Sequence, residues 1–446
     1  MKRLFIIASI ATSLLANGQV INVATSNELQ TALNTAKPGH IITLKANTIF
    51  SITKCTNCIT NKGSGFKVPI GVNGTKNNPI KLVGPKSSVI TSEDITSKYG
   101  LHLQGNNYWV IEGFTVTKSS KCVMLDSSSH NIVNNLRITQ SGDEALHLRK
   151  FSSYNTVSNC YIDSTGMNPS AAQSGYAEGI YVGTANSNWI NNSNNQVDTC
   201  NYNILTGNIF GSLIRSENID IKEGTIGGEI SNNVFNGLGC NGNNSADKYV
   251  DIKGDYYTIK CNTGQGNSIS ILNGFEVNIN KITTKNGLVV NKNFGDYNIF
   301  VNNTLDMTGT TGHAIFVNSY SGVIHNTVCS NNTVINATSG LCNLPTTNCI
   351  VTSCGVLTNV TPTETIDKEN TTISPNPFSD KLEITSFDNS ISKIELYDLQ
   401  GDMVFNEKIN KDMAHQLNTS SISKGTYLLK IYFINGKIEV KKVVRL

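Results

Sequence analysis

Residues 218–222 read NIDIK and residues 249–253 read YVDIK. Successive side chains of a β-strand point to opposite faces. Ile219 and Ile221 therefore face one way and Asp220 and Lys222 the other, and Val250 and Ile252 oppose Asp251 and Lys253 in the same manner. A strand written twice, apolar on one side and charged on the other, predicts a structural repeat whose charged sides stack.

The same strand class recurs as GLHLQ, CVMLD, ALHLR, GIYVG, NIDIK, YVDIK and GFEVN, starting at 100, 122, 145, 179, 218, 249 and 274. Each is followed by a second apolar strand carrying asparagine, such as NIVNNLRI or GEISNNVF. Repeats of roughly 20–40 residues built from short strands predict a solenoid, here an all-β, right-handed parallel β-helix. Asparagines at like positions are expected to stack and hydrogen-bond along the coil axis. Longer intervals, including GMNPSAAQSGYAE and GLGCNGNNSADK, are expected insertions on one side of the coil. One short N-terminal capping helix is predicted in SNELQTALNTAKPGH, with Ser26 as N-cap and Pro38-Gly39 as its end.

Neighbouring coils lie roughly 4.8 Å apart. Aligned by their inward residues, the strands give one outward column of His102, Met124, His147, Tyr181, Asp220, Asp251 and Glu276. A second runs Gln104, Asp126, Arg149, Gly183, Lys222, Lys253 and Asn278. His102, at the end of its column, reads as an ordinary surface residue. The chain is 38% hydrophobic but only 15% charged, so this concentration of charge in consecutive turns points to a functional cleft. Lysine titrates near 10.4 in isolation. A neighbouring Lys253 eases proton loss from Lys222 while Asp220 and Asp251 oppose it, so the net shift is left open. A lysine base with a cationic or tyrosine acid suits β-elimination of a uronic-acid polysaccharide. The catalytic residues expected are Lys222 and Lys253, with Arg149, His147, Tyr181, Asp220, Asp251 and Glu276 binding substrate. A carboxylate hydrolase using Asp220 and Glu276, an epimerase, and a non-catalytic glycan-binding or adhesin β-helix are the alternatives.

A net charge of +3 gives no pointer to nucleic acid. The opening MKRLFIIASIATSLLANGQV reads as a signal peptide over 1–18, with no membrane span after its removal. In an exported chain, 11 cysteines imply disulfides; Cys55/Cys58, Cys240/Cys261 and Cys349/Cys354 are the sequence-near candidates.

NELQTALNTAKPGHIITL, AEGIYVGT, ENIDIKEG and VDIKGDYYTIKCNT resemble, over about residues 20–345, the β-helix polysaccharide lyases of the alginate-lyase and chondroitinase-B group. The resemblance implies Lys222 as base and Lys253 in the place of an arginine. Glu217 matches a carboxylate ligand of the calcium some members hold, while Arg215 stands where another acidic ligand is expected. The cofactor expectation is therefore either none or Ca2+.

Past residue 360 the pattern changes. TPTETIDKENTT reads as a linker over 361–372, and residues 373–446 alternate as a small β-sandwich, leaving 19–360 for the β-helix. SPNPF, IELYDLQGDMVF and KGTYLLKIY resemble the type A sorting domain of type IX secretion. That resemblance implies export from a Gram-negative bacterium, to the medium or the cell surface, with the secretion machinery and an acidic polysaccharide as partners.

Overall fold

The structure, a computed structural model, describes residues 18–58, 61, 63–266, 270–319, 324–349, 354, 371–386, 390–397, 403–420, 422–434 and 438–445. The expected signal peptide and linker fall almost entirely outside these residues. The chain divides into two compact units, Met1–Leu357 and Thr358–Leu446.

The first unit is a parallel β-helix. Among the described residues its strands form three sheets of twelve, ten and ten members. One coil shows the order: Leu101–Gln104 in the first sheet, Trp109–Glu112 in the second, Thr115–Ser119 in the third, then Val123–Asp126 back in the first. Register in the first sheet pairs His102 with Met124, Met124 with His147, His147 with Tyr181, Tyr181 with Asp220, Asp220 with Asp251, and Asp251 with Glu276. This is the column that alternation predicts. The inward residues Leu148, Val182, Ile221, Ile252 and Val277 belong to one continuous apolar core.

Two corners of the coil are held by asparagine amides. Between the first and second sheets, Asn131 donates to Asn155 Oδ1 (3.1 Å) and Asn155 to Asn203 Oδ1 (3.2 Å). Between the second and third, Asn208, Asn233, Asn262, Asn303 and Asn332 form an unbroken ladder with spacings of 2.9–3.0 Å. Outside the first corner, Tyr108, His130, Tyr154 and Tyr202 stack with centroids 4.9–5.0 Å apart. These four rings sit at φ 55–60°, a left-handed conformation that bulky residues otherwise avoid; mutual stacking offsets part of that cost.

The helix Ser26–Thr35 closes the N-terminal end, but its N-cap is Thr25, one residue earlier than expected. Thr25 accepts from Glu28 N–H and Glu28 accepts from Thr25 N–H, the reciprocal box that fixes the start. Ser26 instead is buried and accepts from Ser51 N–H. Cys55 pairs with Cys58 as expected, whereas Cys261 pairs with Cys354, Cys329 with Cys349, and Cys240 is a free buried thiol. Coil stacking is the reason: the strand ending at Cys329 lies alongside Thr346–Thr347, which brings Cys349 to it, a proximity that spacing along the chain does not reveal.

The second unit has antiparallel sheets of three and four strands among its described residues. Leu382, Ile384 and Leu417 of one sheet share a core with Ile394, Leu396, Leu429 and Ile431 of the other, so the unit is a β-sandwich.

Candidate active site

The strands Ile180–Val182, Ile219–Ile221, Lys248–Ile252 and Asn273–Lys285 form the floor of a cleft of about 460 Å³. Insertions entering these strands carry Gly175, Tyr176, Asn244 and Ser245. The insertion leaving the first of them carries Ala185, Ser187 and Asn188, Asn280 lies on the long last strand, and all of these line the cleft. Two walls therefore flank the sheet, one at each end of its strands. The leaving wall has its own small core, Trp189 packed with Ile282 and Phe294.

The expected residues Tyr181, Lys222, Lys253, Asp220, Asp251, Glu276 and Glu217 line this cleft. Their charges are interlocked. Lys222 Nζ lies 2.5 Å from Asp220 Oδ2, Lys253 Nζ pairs with Asp251 and stands 3.7 Å from Asp220 Oδ1, and Lys248 Nζ is 3.5 Å from Glu276. Lys222 Nζ also sits over the Tyr181 ring, 4.9 Å from its centroid. His147 and Arg149 stand beside the cleft rather than in its lining. Arg149 forks onto Asp126 at 2.6 and 3.2 Å, and His102 Nε2 shares that carboxylate at 3.1 Å. His102, read as an ordinary surface residue, is in fact buried in this network. His147 Nε2 lies 2.9 Å from Gly183 O.

Burial alone would lower the Lys222 pKa, but Asp220, followed by Asp251, Glu178 and Glu223, outweighs it and raises the value above the usual lysine range. Lys253 follows the same pattern: burial lowers it, Asp220 and Asp251 raise it further, and the opposing push from Lys222 does not prevail. The question left open by the sequence is answered by the carboxylates, which hold both lysines cationic in the free protein. Burial, reinforced by Asp220 and Glu178, pushes the Tyr181 phenol well above its ordinary value, so it is a neutral proton donor.

Sequence reasoning missed Glu178 and Lys248. Each stands immediately before its strand class, in a further column of Tyr99, Lys121, Glu144, Glu178, Glu217, Lys248 and Asn273. Strict alternation assigns these positions to the inward face, yet Glu178, Glu217 and Lys248 line the cleft. The recurring acid or base one residue ahead of the strand was the available signal.

Glu178, Glu217 and Asp220 bring carboxylate oxygens within 4.8 Å of one another, all buried. Glu178 Oε2 and Asp220 Oδ1 have no hydrogen-bond partner. Burial, then Asp220 and Asp251, pushes Glu217 up to about 7, and burial with Glu144 and Asp220 pushes Glu178 well above the carboxylate range. An all-oxygen donor set with unpartnered atoms fits a hard divalent cation such as calcium. Arg215 does not interrupt it, because the third carboxylate comes from Glu178 on the preceding coil. Without a cation the cluster keeps protons. The folded state then binds more protons than the unfolded one between 4.5 and about 7 for Glu217, so stability falls as pH rises through that window. Tm is expected to drop across it, calcium to restore Tm at the alkaline end, and Glu217→Gln to flatten the drop. Equal slopes for the wild type and Glu217→Gln would contradict the assignment.

Comparisons with known proteins divide at the unit boundary. Residues 372–445 match the family model described as a secretion system C-terminal sorting domain. The C-terminal unit is a sorting domain. It indicates type IX secretion, and the chain is a secreted or cell-surface protein. The β-helix is similar to a solved alginate lyase from Paenibacillus sp. str. FPU-7, with 29% identity and a TM-score of 0.61, covering 73% of this chain and 98% of that one. Further fold matches include the PL6 family alginate lyase AlyGC (14% identity, TM-score 0.37, 72% and 53% covered) and the mannuronan C-5 epimerase AlgE4 A-module of Azotobacter vinelandii (13%, 0.41, 71% and 91%). A search of curated proteins returned no match. The β-helix unit is thus lyase-like. No described helix is long and apolar enough to cross a membrane.

Proposed function

We propose that the cleft cleaves a uronic-acid polysaccharide by β-elimination, with alginate the first polymer to test because the similar solved structure at 29% identity is an alginate lyase. The observation that carries the reading is the contact of Lys222 with Tyr181, beside Lys253 and Lys248 in the lining of the same cleft. Lys222, once deprotonated, takes the proton from the carbon next to the substrate carboxylate. The C–H electron pair becomes the new double bond as the glycosidic C–O bond breaks. Tyr181 protonates the departing oxygen, and the Lys222 ammonium returns a proton to the phenolate. Lys253 and Lys248 stabilise the carboxylate as its charge grows. A divalent cation held by Glu178, Glu217 and Asp220 would add to that charge stabilisation and oppose protonation of Lys222.

Since Asp220 holds the Lys222 pKa up, the rate of formation of unsaturated product is expected to climb about tenfold per pH unit through neutrality. Asp220→Asn is expected to move that rise to lower pH. A rate falling with pH above neutrality in both proteins would contradict Lys222 as base.

One observation favours a second reading. Glu217, pushed up to about 7, and Asp251, held well below the carboxylate range by Lys253, Lys248 and Lys222, line the same cleft and differ in acidity as a glycoside hydrolase's carboxyl groups do.

A further inference from the structure

Tyr176 is the aromatic ring that the cleft offers to a ligand. The other tyrosine in the lining, Tyr181, is 9% exposed and covered by Lys222 and His147, whereas Tyr176 is 55% exposed. It stands on the wall at the entering ends of the strands, with a polar cleft in front of it.

The backbone of that wall is tied down. Tyr176 N–H donates to Ala171 O (2.9 Å), closing the short helix Pro169–Gln173 onto it. Gly175 has φ +75°, and a Cβ there would meet Asn244 Cβ at 2.8 Å and Asn243 O at 3.1 Å. Only glycine lets this insertion seat against the 237–247 insertion, which Asn241 also ties to Ala172 O at 3.2 Å. Ser216 joins the wall to the floor, its hydroxyl 3.1 Å from Gly175 O and 2.5 Å from Glu217 Oε2. A backbone already anchored does not have to be ordered when a ligand binds.

We propose that Tyr176 is a substrate-positioning residue, its ring taking the apolar C–H face of one sugar of the uronate chain while the lysines of the floor take the carboxylates. This rests on the reading of the cleft as a uronate-chain site. The pairing follows from the chemistry of the ligand: each sugar ring has an apolar face and a charged edge, and the cleft presents an aromatic wall and a floor that carries three lysines among its carboxylates.

The test uses the full secreted chain, measuring KM and kcat on alginate oligosaccharides and Kd on the same oligosaccharides in a Lys222→Ala background. Tyr176→Ala is expected to raise KM and Kd about tenfold with kcat within about twofold, and Tyr176→Phe to restore both. Unchanged KM and Kd in Tyr176→Ala, with unsaturated product still forming, would overturn the positioning role and leave the lyase reading intact. Equal losses in the alanine and phenylalanine variants with a lowered Tm would reduce the residue to a structural one. Absence of alginate binding by the wild type would overturn the inference together with the reading beneath it.

Discussion

Lys222→Ala is expected to lower kcat/KM for unsaturated-product formation by roughly a hundred- to ten-thousandfold, the usual contribution of a positioned acid or base. The side chain is 13% exposed and its amine is held 2.5 Å from Asp220, whereas Lys253 is held by Asp251. Lys222→Arg separates two roles. Guanidinium keeps the positive charge but does not lose its proton in a protein, so arginine rescues a purely electrostatic function and fails as a base. The account expects Lys222→Arg to be as inactive as the alanine variant. Lys253→Arg is expected to retain a measurable fraction of activity, because Lys253 is assigned charge stabilisation.

The second large effect lies in the coil corner. Asn262 accepts from Asn233 N–H (2.9 Å) and Asn233 Nδ2 (3.0 Å), and donates to Ile230 O and Asn303 Oδ1 at 2.9 Å each. Asn262→Ala takes a partner from two buried donors and two buried acceptors, where water does not reach. At about 1 kcal/mol or more per group the loss is expected to total about 3–5 kcal/mol. Each coil packs on its two neighbours, so destabilisation spreads from coil to coil along the stack. Urea unfolding followed by far-ultraviolet circular dichroism would check it. A shift smaller than about 1 kcal/mol would mean that the ladder amides are replaceable.

Much of this was legible in the sequence because the side-chain period of a strand is two. Once Ile219, Ile221, Val250 and Ile252 are placed inward, the stacking of Asp220 on Asp251 and of Tyr181 on Asp220 follows, and register confirms both pairs. The stacked asparagines were readable because they recur at like positions in successive repeats. Glu178 and Lys248 were not, because alternation assigns both to the inward face while the structure places them in the cleft lining. Tyr176 lies on an insertion, whose path depends on tertiary packing. The protonation of Lys222 was unreadable because it depends on how burial and the surrounding charges balance, and the structure sets Asp220 2.5 Å from its amine. Arg149 looked available for substrate, yet Asp126 from the preceding coil holds it.

The central claim is that the cleft breaks the chain by elimination rather than hydrolysis, and mass spectrometry of the chain ends tests it most directly. The secreted protein would be incubated with alginate oligosaccharides in ordinary and in isotopically heavy water. The account predicts that each cut gives a new end lighter by one water than the hydrolysis product, absorbing in the ultraviolet, with no heavy oxygen incorporated. Saturated ends carrying heavy oxygen would contradict it and assign the chemistry to Glu217 and its neighbouring carboxylates.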